Sequence, residues 1–221
     1  MQDTLLQFDS DLFLTLNGQN TPWLDTFMWY FSGKLVWGFL YAAILAGIIY
    51  RFGWRRALGI LLVIALIITV CDQMCGHFVR YSIERMRPSN PDNPISPLVH
   101  IVRGYRGGPY GFPSCHAANS FGLAVFIALL FRSRALTAIM LLWAIVTAYS
   151  RIVLGVHYPG DLLVGALTGT VTAIVAYYSS RAIYHRYQHR HVTRDSIPTL
   201  VISSTMFLIV GAMAITACFT C

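Results

Sequence analysis

Three short segments hold most of the residues able to do chemistry on a charged group: Arg80 to Pro88, Pro113 to His116 and Arg151 to Asp161. They supply the guanidiniums of Arg80, Arg87 and Arg151, the imidazoles of His116 and His157, and the carboxylate of Asp161, all at the ends of long apolar runs. The planar fork of arginine suits the oxygens of a phosphate. A histidine held by a carboxylate is a poised nucleophile or base. The residue types therefore fit transfer of a phosphoryl group at a membrane surface, where ionisable side chains are expensive and mark function.

Arg87 follows Arg80 by seven positions. On one continuous helix stopped by Pro88, both would face the same way, roughly 10 Å apart along the axis. Arg85, between them, reads as a snorkelling anchor. Ser114 is a good N-cap, and the free N–H groups of the helix that follows form an anion site. A merely capped interfacial helix explains Ser114 equally well, but not His116 beside an arginine loop. Tyr158-Pro159-Gly160 breaks any helix between His157 and Asp161, so Asp161 begins a new helix, where its charge suits the dipole and its oxygen orients His157. A lone histidine at the end of an apolar run is more often an interface residue. The convergence of all three segments on one side is what favours a site.

The elements that position these groups follow from composition. Of 221 residues, 56% are hydrophobic and only 11% charged, with a mean hydropathy of +0.59, whereas a soluble domain is about a quarter charged. Six apolar stretches approach the length a membrane-crossing helix needs: about 35 to 50, 57 to 79, 116 to 131, 135 to 154, 161 to 180 and 198 to 219. Aromatic residues Trp23 to Phe31 suit the headgroup level, and the first span has room to begin near Trp29. Leu5, Phe8, Leu12, Phe13 and Leu16 fall at helical spacing with Asp3, Asp9 and Asp11 elsewhere on the surface, which predicts an interfacial helix on the membrane. No positive n-region precedes it, so it does not read as a signal peptide. The fold expected is all-α, a single membrane-embedded domain over 1–221 with six transmembrane helices and an N-terminal interfacial helix.

Six spans place both termini, the loop from 81 to 115 and the turn from 151 to 160 on one side. Nine of the sixteen basic residues (Arg51, Arg55, Arg56, Arg132, Arg134, Arg181, Arg186, Arg190 and Arg194) fall on the other. The positive-inside rule makes the motif side extracytoplasmic, in a multi-pass protein of the cytoplasmic, or inner, membrane. The net charge of +7 is spread as single arginines beside apolar spans, which favours anionic lipid over nucleic acid as partner.

The three segments read Arg80-x6-Arg87-Pro88, Pro113-Ser114-Cys115-His116 and Ser150-Arg151-x5-His157-x3-Asp161. In this order between spans they are similar to the K-x6-R-P, P-S-G-H and S-R-x5-H-x3-D pattern of the type-2 phosphatidic acid phosphatase superfamily, related in its site to the vanadium haloperoxidases. The resemblance covers about 57 to 180. It implies a phosphatase in which His157 attacks phosphorus to form a phosphohistidine, Asp161 orients it, and His116 protonates the leaving oxygen and then activates water. Arg80, Arg87, Ser114, the Cys115 amide and Arg151 would hold the phosphoryl oxygens, with no metal or other cofactor required. Arg80 stands where the family has Lys, and Cys115 where it has Gly.

The substrate expected is a phosphorylated lipid reached from the bilayer. Undecaprenyl diphosphate, a lipid A phosphate, and phosphatidylglycerol phosphate or phosphatidate all fit; Arg103 and Arg106 in the loop favour a second phosphate or a multiply charged headgroup. Two rival classes stay open: a transporter, which predicts paired repeats and broken helices at the midplane, and a catalytically impaired lipid-phosphate binder, on the strength of Arg80 and Cys115. Asp72, inside the second stretch, is expected to pair with a site arginine or His77 or simply to bond a neighbouring helix, an indirect structural role being favoured over catalysis. His185, His189 and His191 read as part of a basic interfacial collar rather than a metal site, Cys71 and Cys75 as small core residues, and a Cys218–Cys221 disulfide has weak support.

Overall fold

The computed structural model describes residues 2–181 and 196–220. The histidines at 185, 189 and 191, the arginines at 186, 190 and 194, and Cys221 lie outside them. The described residues are mostly helical, joined by short connections and by one long loop before α6 that carries an isolated bridge between Met86 and Tyr110.

α1 (Gln2–Asn17) and α2 (Pro22–Phe31) precede the long apolar helices. α2 opens on Thr21, whose hydroxyl accepts from the Leu24 N–H, with Pro22 in the first turn. The aromatic group at 23 to 31 is therefore a helix of its own and not an extension of the first span. α3 (Gly38–Phe52) follows a 3₁₀ turn at Leu35–Trp37. α4 (Trp54–Gln73) runs through a π-helical turn at Met74–Phe78 into α5 (Val79–Ile83). α6 (Cys115–Phe131), α7 (Arg134–Val153), α8 (Pro159–Ser179) and α9 (Ser196–Phe219) complete the set.

Five helices among the described residues are long and apolar enough to cross a membrane: Leu35–Phe52, Trp54–Ile83, Arg134–Val153, Pro159–Ser179 and Ser196–Phe219. α6 is also apolar but has 17 residues, at the lower limit for a span. The count of six expected from sequence rests on that helix.

Small residues set the central contact. A Cβ built on Gly169 would fall 2.0 Å from the Ala118 carbonyl oxygen, and one on Gly165 2.4 Å from that of Ser114. α8 thus lies backbone to backbone on α6 through a Gly-x3-Gly pair, the way membrane helices gain van der Waals contact where lipid offers no hydrophobic drive. This brings the start of α8 to the start of α6, where the Ser114 N–H donates to the Asp161 carbonyl at 3.0 Å.

α1 differs from expectation in one respect. Leu5 and Phe8 remain exposed, each at 65%, as an interfacial helix requires. Phe13, however, is buried in a cluster with Ala117, Ile152, Tyr158 and Leu162, edge-on to the Tyr158 ring. Asn17 donates to the carbonyls of His100, Ile152 and Val153. The helix is docked on the loop and on the ends of α7 and α8, because its apolar stripe and its Asn have partners there.

Candidate active site

α5 ends sooner than its sequence suggested. Glu84 adopts a left-handed conformation (φ 51°), and its N–H closes on the Arg80 carbonyl. Arg80 and Arg87 therefore do not share a continuous helix: Arg80 comes from α5, and Arg87 from an extended strip beyond it. That strip is held by Arg87 N–H to Pro109 O at 3.1 Å and Gly111 N–H to Arg85 O at 2.9 Å. Pro88 stops nothing, the helix having already ended.

His157 and Asp161 flank the start of α8. Pro159 does not separate them as a breaker; it occupies the first helical turn, which its fixed φ suits. Asp161 Oδ2 accepts the Tyr158 N–H at 3.0 Å and lies 3.3 Å from His157 Nδ1. On the far side of the ring, Arg87 Nη1 lies 3.0 Å from Nε2 and donates to the Val156 carbonyl at 2.9 Å. Because a guanidinium only donates, Nε2 is the acceptor and the ring proton sits on Nδ1, towards Asp161. The imidazole is 2% exposed. Burial, followed by the charges of Arg87 and Arg151, pushes its pKa well below the ordinary value. His157 is thus neutral, with its lone pair aimed at the arginines.

Those arginines lack carboxylate partners among the described residues. Arg80 donates to the Pro113 carbonyl at 3.1 Å and to Cys115 Sγ at 3.3 Å. Arg151, 4% exposed, donates to Ser32 Oγ and lies 5.7 Å from the Tyr105 ring. The Nε–H groups of Arg80, Arg87 and Arg151 are buried with no partner among the described residues, and none of the three is ion-paired there. The pKa of Arg87 is pulled down to about 10, first by burial and then by Arg80 and Arg151, which leaves it charged at neutral pH. Three repelling cations around one neutral imidazole are stabilised by an anion.

Ser114 caps α6, its Oγ accepting from the Ala117 N–H at 3.5 Å, so its hydroxyl proton stays available. The free N–H groups of the helix start lie beside it. His116 occupies the first turn of α6, with Arg151, Lys34, Arg87 and Arg80 as its charged neighbours. All eight residues singled out from sequence thus meet in one region.

Four contributors were missed or misread. Arg85 is no snorkelling anchor: it donates to Asp161 Oδ1 at 3.0 Å, pairs with Asp9 at 2.8 Å and lies 3.9 Å over the Tyr158 ring. Asp9, assigned to the outer surface of α1, also accepts the Gly160 N–H at 2.8 Å. Asn93 donates to the Arg87 carbonyl and to the Tyr158 hydroxyl. A Cβ on Gly111 would stand 3.1 Å from both Arg87 Cγ and Asp161 Oδ2, so that position admits little more than hydrogen. Of these, only the Gly-rich composition of the loop gave a signal. Arg103 lies over the rings of Trp29 and Tyr30, and Arg106 bonds Ser89 and Ser96 within the loop. Asp72 pairs with neither Arg80 nor His77; it accepts from Asn119 on α6 at 2.8 Å.

The PAP2 superfamily model matches residues 57–185. The chain is 48% identical over 188 residues, 85% of its length and 84% of the relative's, to the lipid A 4'-phosphatase of Bacteroides thetaiotaomicron. It is 36% identical over 176 residues, 78% of this chain and 73% of the relative, to the lipid A 4'-phosphatase of Porphyromonas gingivalis. The crystal structure of Aquifex aeolicus LpxE superposes with a TM-score of 0.54 at 25% identity, covering 76% of this chain and 93% of that one. That of a transmembrane PAP2-type phosphatidylglycerolphosphate phosphatase from Bacillus subtilis gives 0.61 at 22% identity over 81% and 88%, a likeness of fold. The chain belongs to the PAP2 superfamily. It is a multi-pass membrane protein and a lipid phosphatase, hence a hydrolase.

Proposed function

We propose that this protein hydrolyses a phosphate monoester of a lipid A-type glycolipid at the extracytoplasmic face, through a phosphohistidine on His157. The observation that carries the reading is the set of three guanidiniums, without carboxylate partners among the described residues, around the Nε2 lone pair of a neutral His157. The substrate class is taken from the relatives of 48% and 36% identity. The orientation is supported by the nine arginines that the sequence places opposite the motif side, six of them among the described residues.

The phosphate enters between Arg80, Arg87 and Arg151 and takes His157 Nε2 from its contact with Arg87. Ser114 and the N–H groups at the start of α6 bind further phosphoryl oxygens. Nε2 attacks phosphorus as the ester P–O bond breaks, and the electron pair leaves with the lipid oxygen, which His116 protonates. Asp161 stabilises the imidazolium character at Nδ1, while Arg85 and Asp9 hold Asp161. Water then attacks the phosphohistidine, giving a proton to His116; the P–N bond breaks, phosphate departs and neutral His157 returns. The arginines carry the charge that spreads over the phosphoryl oxygens in both steps.

The test is phosphate release by purified protein from a panel of phosphorylated lipids, with an alkaline detergent quench to trap labelled phosphate, because the P–N bond of a phosphohistidine survives base but not acid. A lipid A phosphate is expected to turn over fastest, with label trapped on the native protein and absent from His157→Ala. Faster release from undecaprenyl diphosphate or phosphatidate would replace the substrate, and turnover by His157→Ala would overturn the phosphohistidine.

A further inference from the structure

Below His116 a cavity of about 420 Å³ opens between α3, α4, α6 and α7, a volume typical of a ligand pocket. Ser32, Lys34 and His116 lie at its site end, and its walls are apolar, with Trp37, Ile64, Ile68, Leu123 and Trp143 among them. Asp72 and Asn119, on facing helices, interrupt that lining. Asp72 precedes Arg80 by eight residues and Asn119 follows His116 by three, which puts the pair roughly 5–12 Å deeper than the arginines along the helix axes.

The Asn119 amide donates to Asp72 Oδ1 at 2.8 Å. Asp72 Oδ2 has no partner among the described residues, and neither has the buried Asn119 Oδ1. Joining two helices needs only one such bond, and an amide or hydroxyl at position 72 would make it without a charge. Asp72 is half-buried and lines the cavity, so its second oxygen is an acceptor open to whatever fills that space. The unmet half asks for a donor from whatever fills the cavity.

We propose that this cavity holds the part of the lipid substrate next to its phosphate, and that Asp72 accepts a hydrogen bond from a hydroxyl or amide N–H on an acyl chain near its head. The inference rests on the lipid-phosphatase reading and on the continuity of the cavity with His116. A carboxylate offers acceptors alone, and so does an ester. An ester-linked chain therefore leaves Oδ2 unmet, whereas an N-acyl or hydroxylated chain satisfies it. The enzyme selects lipids by the linkage of their chains as well as by their phosphate.

The experiment compares kcat/KM of the purified full-length protein for ceramide 1-phosphate, which carries both donors, and for a chain-matched diester phosphatidate in the same micelles. The native protein favours ceramide 1-phosphate by about tenfold or more, as a hydrogen bond to a charged acceptor provides. Asp72→Asn keeps an acceptor for Asn119 and turns the free position into a donor, so the ratio falls to about one or inverts. Ile68→Trp narrows the cavity and raises KM for long-chain ceramide phosphate more than for its short-chain analogue. Equal kcat/KM for the two lipids in the native protein, a ratio unchanged by Asp72→Asn, or no chain-length effect in Ile68→Trp overturns the inference. Release from a soluble aryl phosphate with neither lipid hydrolysed would instead overturn the lipid-phosphatase reading.

Discussion

Arg85 donates from Nη1 to Asp161 Oδ1 at 3.0 Å across 76 residues of chain, and thereby leaves Asp161 only Oδ2 to offer His157 and the Tyr158 N–H. Its other nitrogen pairs with Asp9 Oδ2 at 2.8 Å. The carboxylate beside His157 is thus fixed from α1, a helix outside the 57–185 region that matches the superfamily.

Removing that clamp is expected to lower turnover without weakening substrate binding. Arg85→Ala should cut kcat by about 10- to 100-fold, the worth of a charge-assisted hydrogen bond, with KM changed little; Arg85→Lys and Asp9→Asn should each cost less. Steady-state kinetics on a soluble aryl phosphate decide it. A rise in KM with kcat intact would place Arg85 on the substrate instead.

The environment of His157 sets its protonation. Because burial and the charge of Arg87 lower its pKa, the neutral form persists at pH 6, where an ordinary imidazole with a pKa of about 6.5 is mostly charged. Nitrogen NMR of histidine-labelled protein, assigned with His157→Gln, should show a neutral Nδ1–H tautomer at that pH. Titration near 6.5 would contradict the geometry. Phosphate, by adding negative charge, should move the titration upward.

Cys115 reaches Arg80 through its thiol at 3.3 Å. Cys115→Gly should free that guanidinium and leave activity unchanged or higher, and alkylation should inhibit the native protein but not the variant. Loss of activity on substitution would mean that the sulfur helps to hold Arg80 in place.

Orientation is open to chemical labelling. Asp92 is exposed in the loop before α6, and Arg55 is exposed at the start of α4 on the opposite side. Against the native background, a membrane-impermeant thiol reagent on spheroplasts should label Asp92→Cys and miss Arg55→Cys. The reverse pattern would put the site in the cytoplasm.

The sequence alone determined what depends on short spacing. Apolar run lengths set the membrane helices, because the bilayer fixes their minimum. Ser114, Cys115 and His116 declared a helix start, because capping is local. The pair at His157 and Asp161 was legible because one turn of chain joins them. The tertiary structure decided what depends on contacts across the chain. Glu84 ends α5 early, so Arg80 and Arg87 arrive by separate routes. Gly165 and Gly169 let α8 settle on α6, bringing Asp161 to Ser114. Arg85 and Asp9 look like surface charges at any local spacing, and only the packing of α1 on the loop joins them to Asp161. The same holds for the cavity at Asp72: periodicity tells which face of a helix is apolar, while the space left between four such faces is set by how closely their side chains approach.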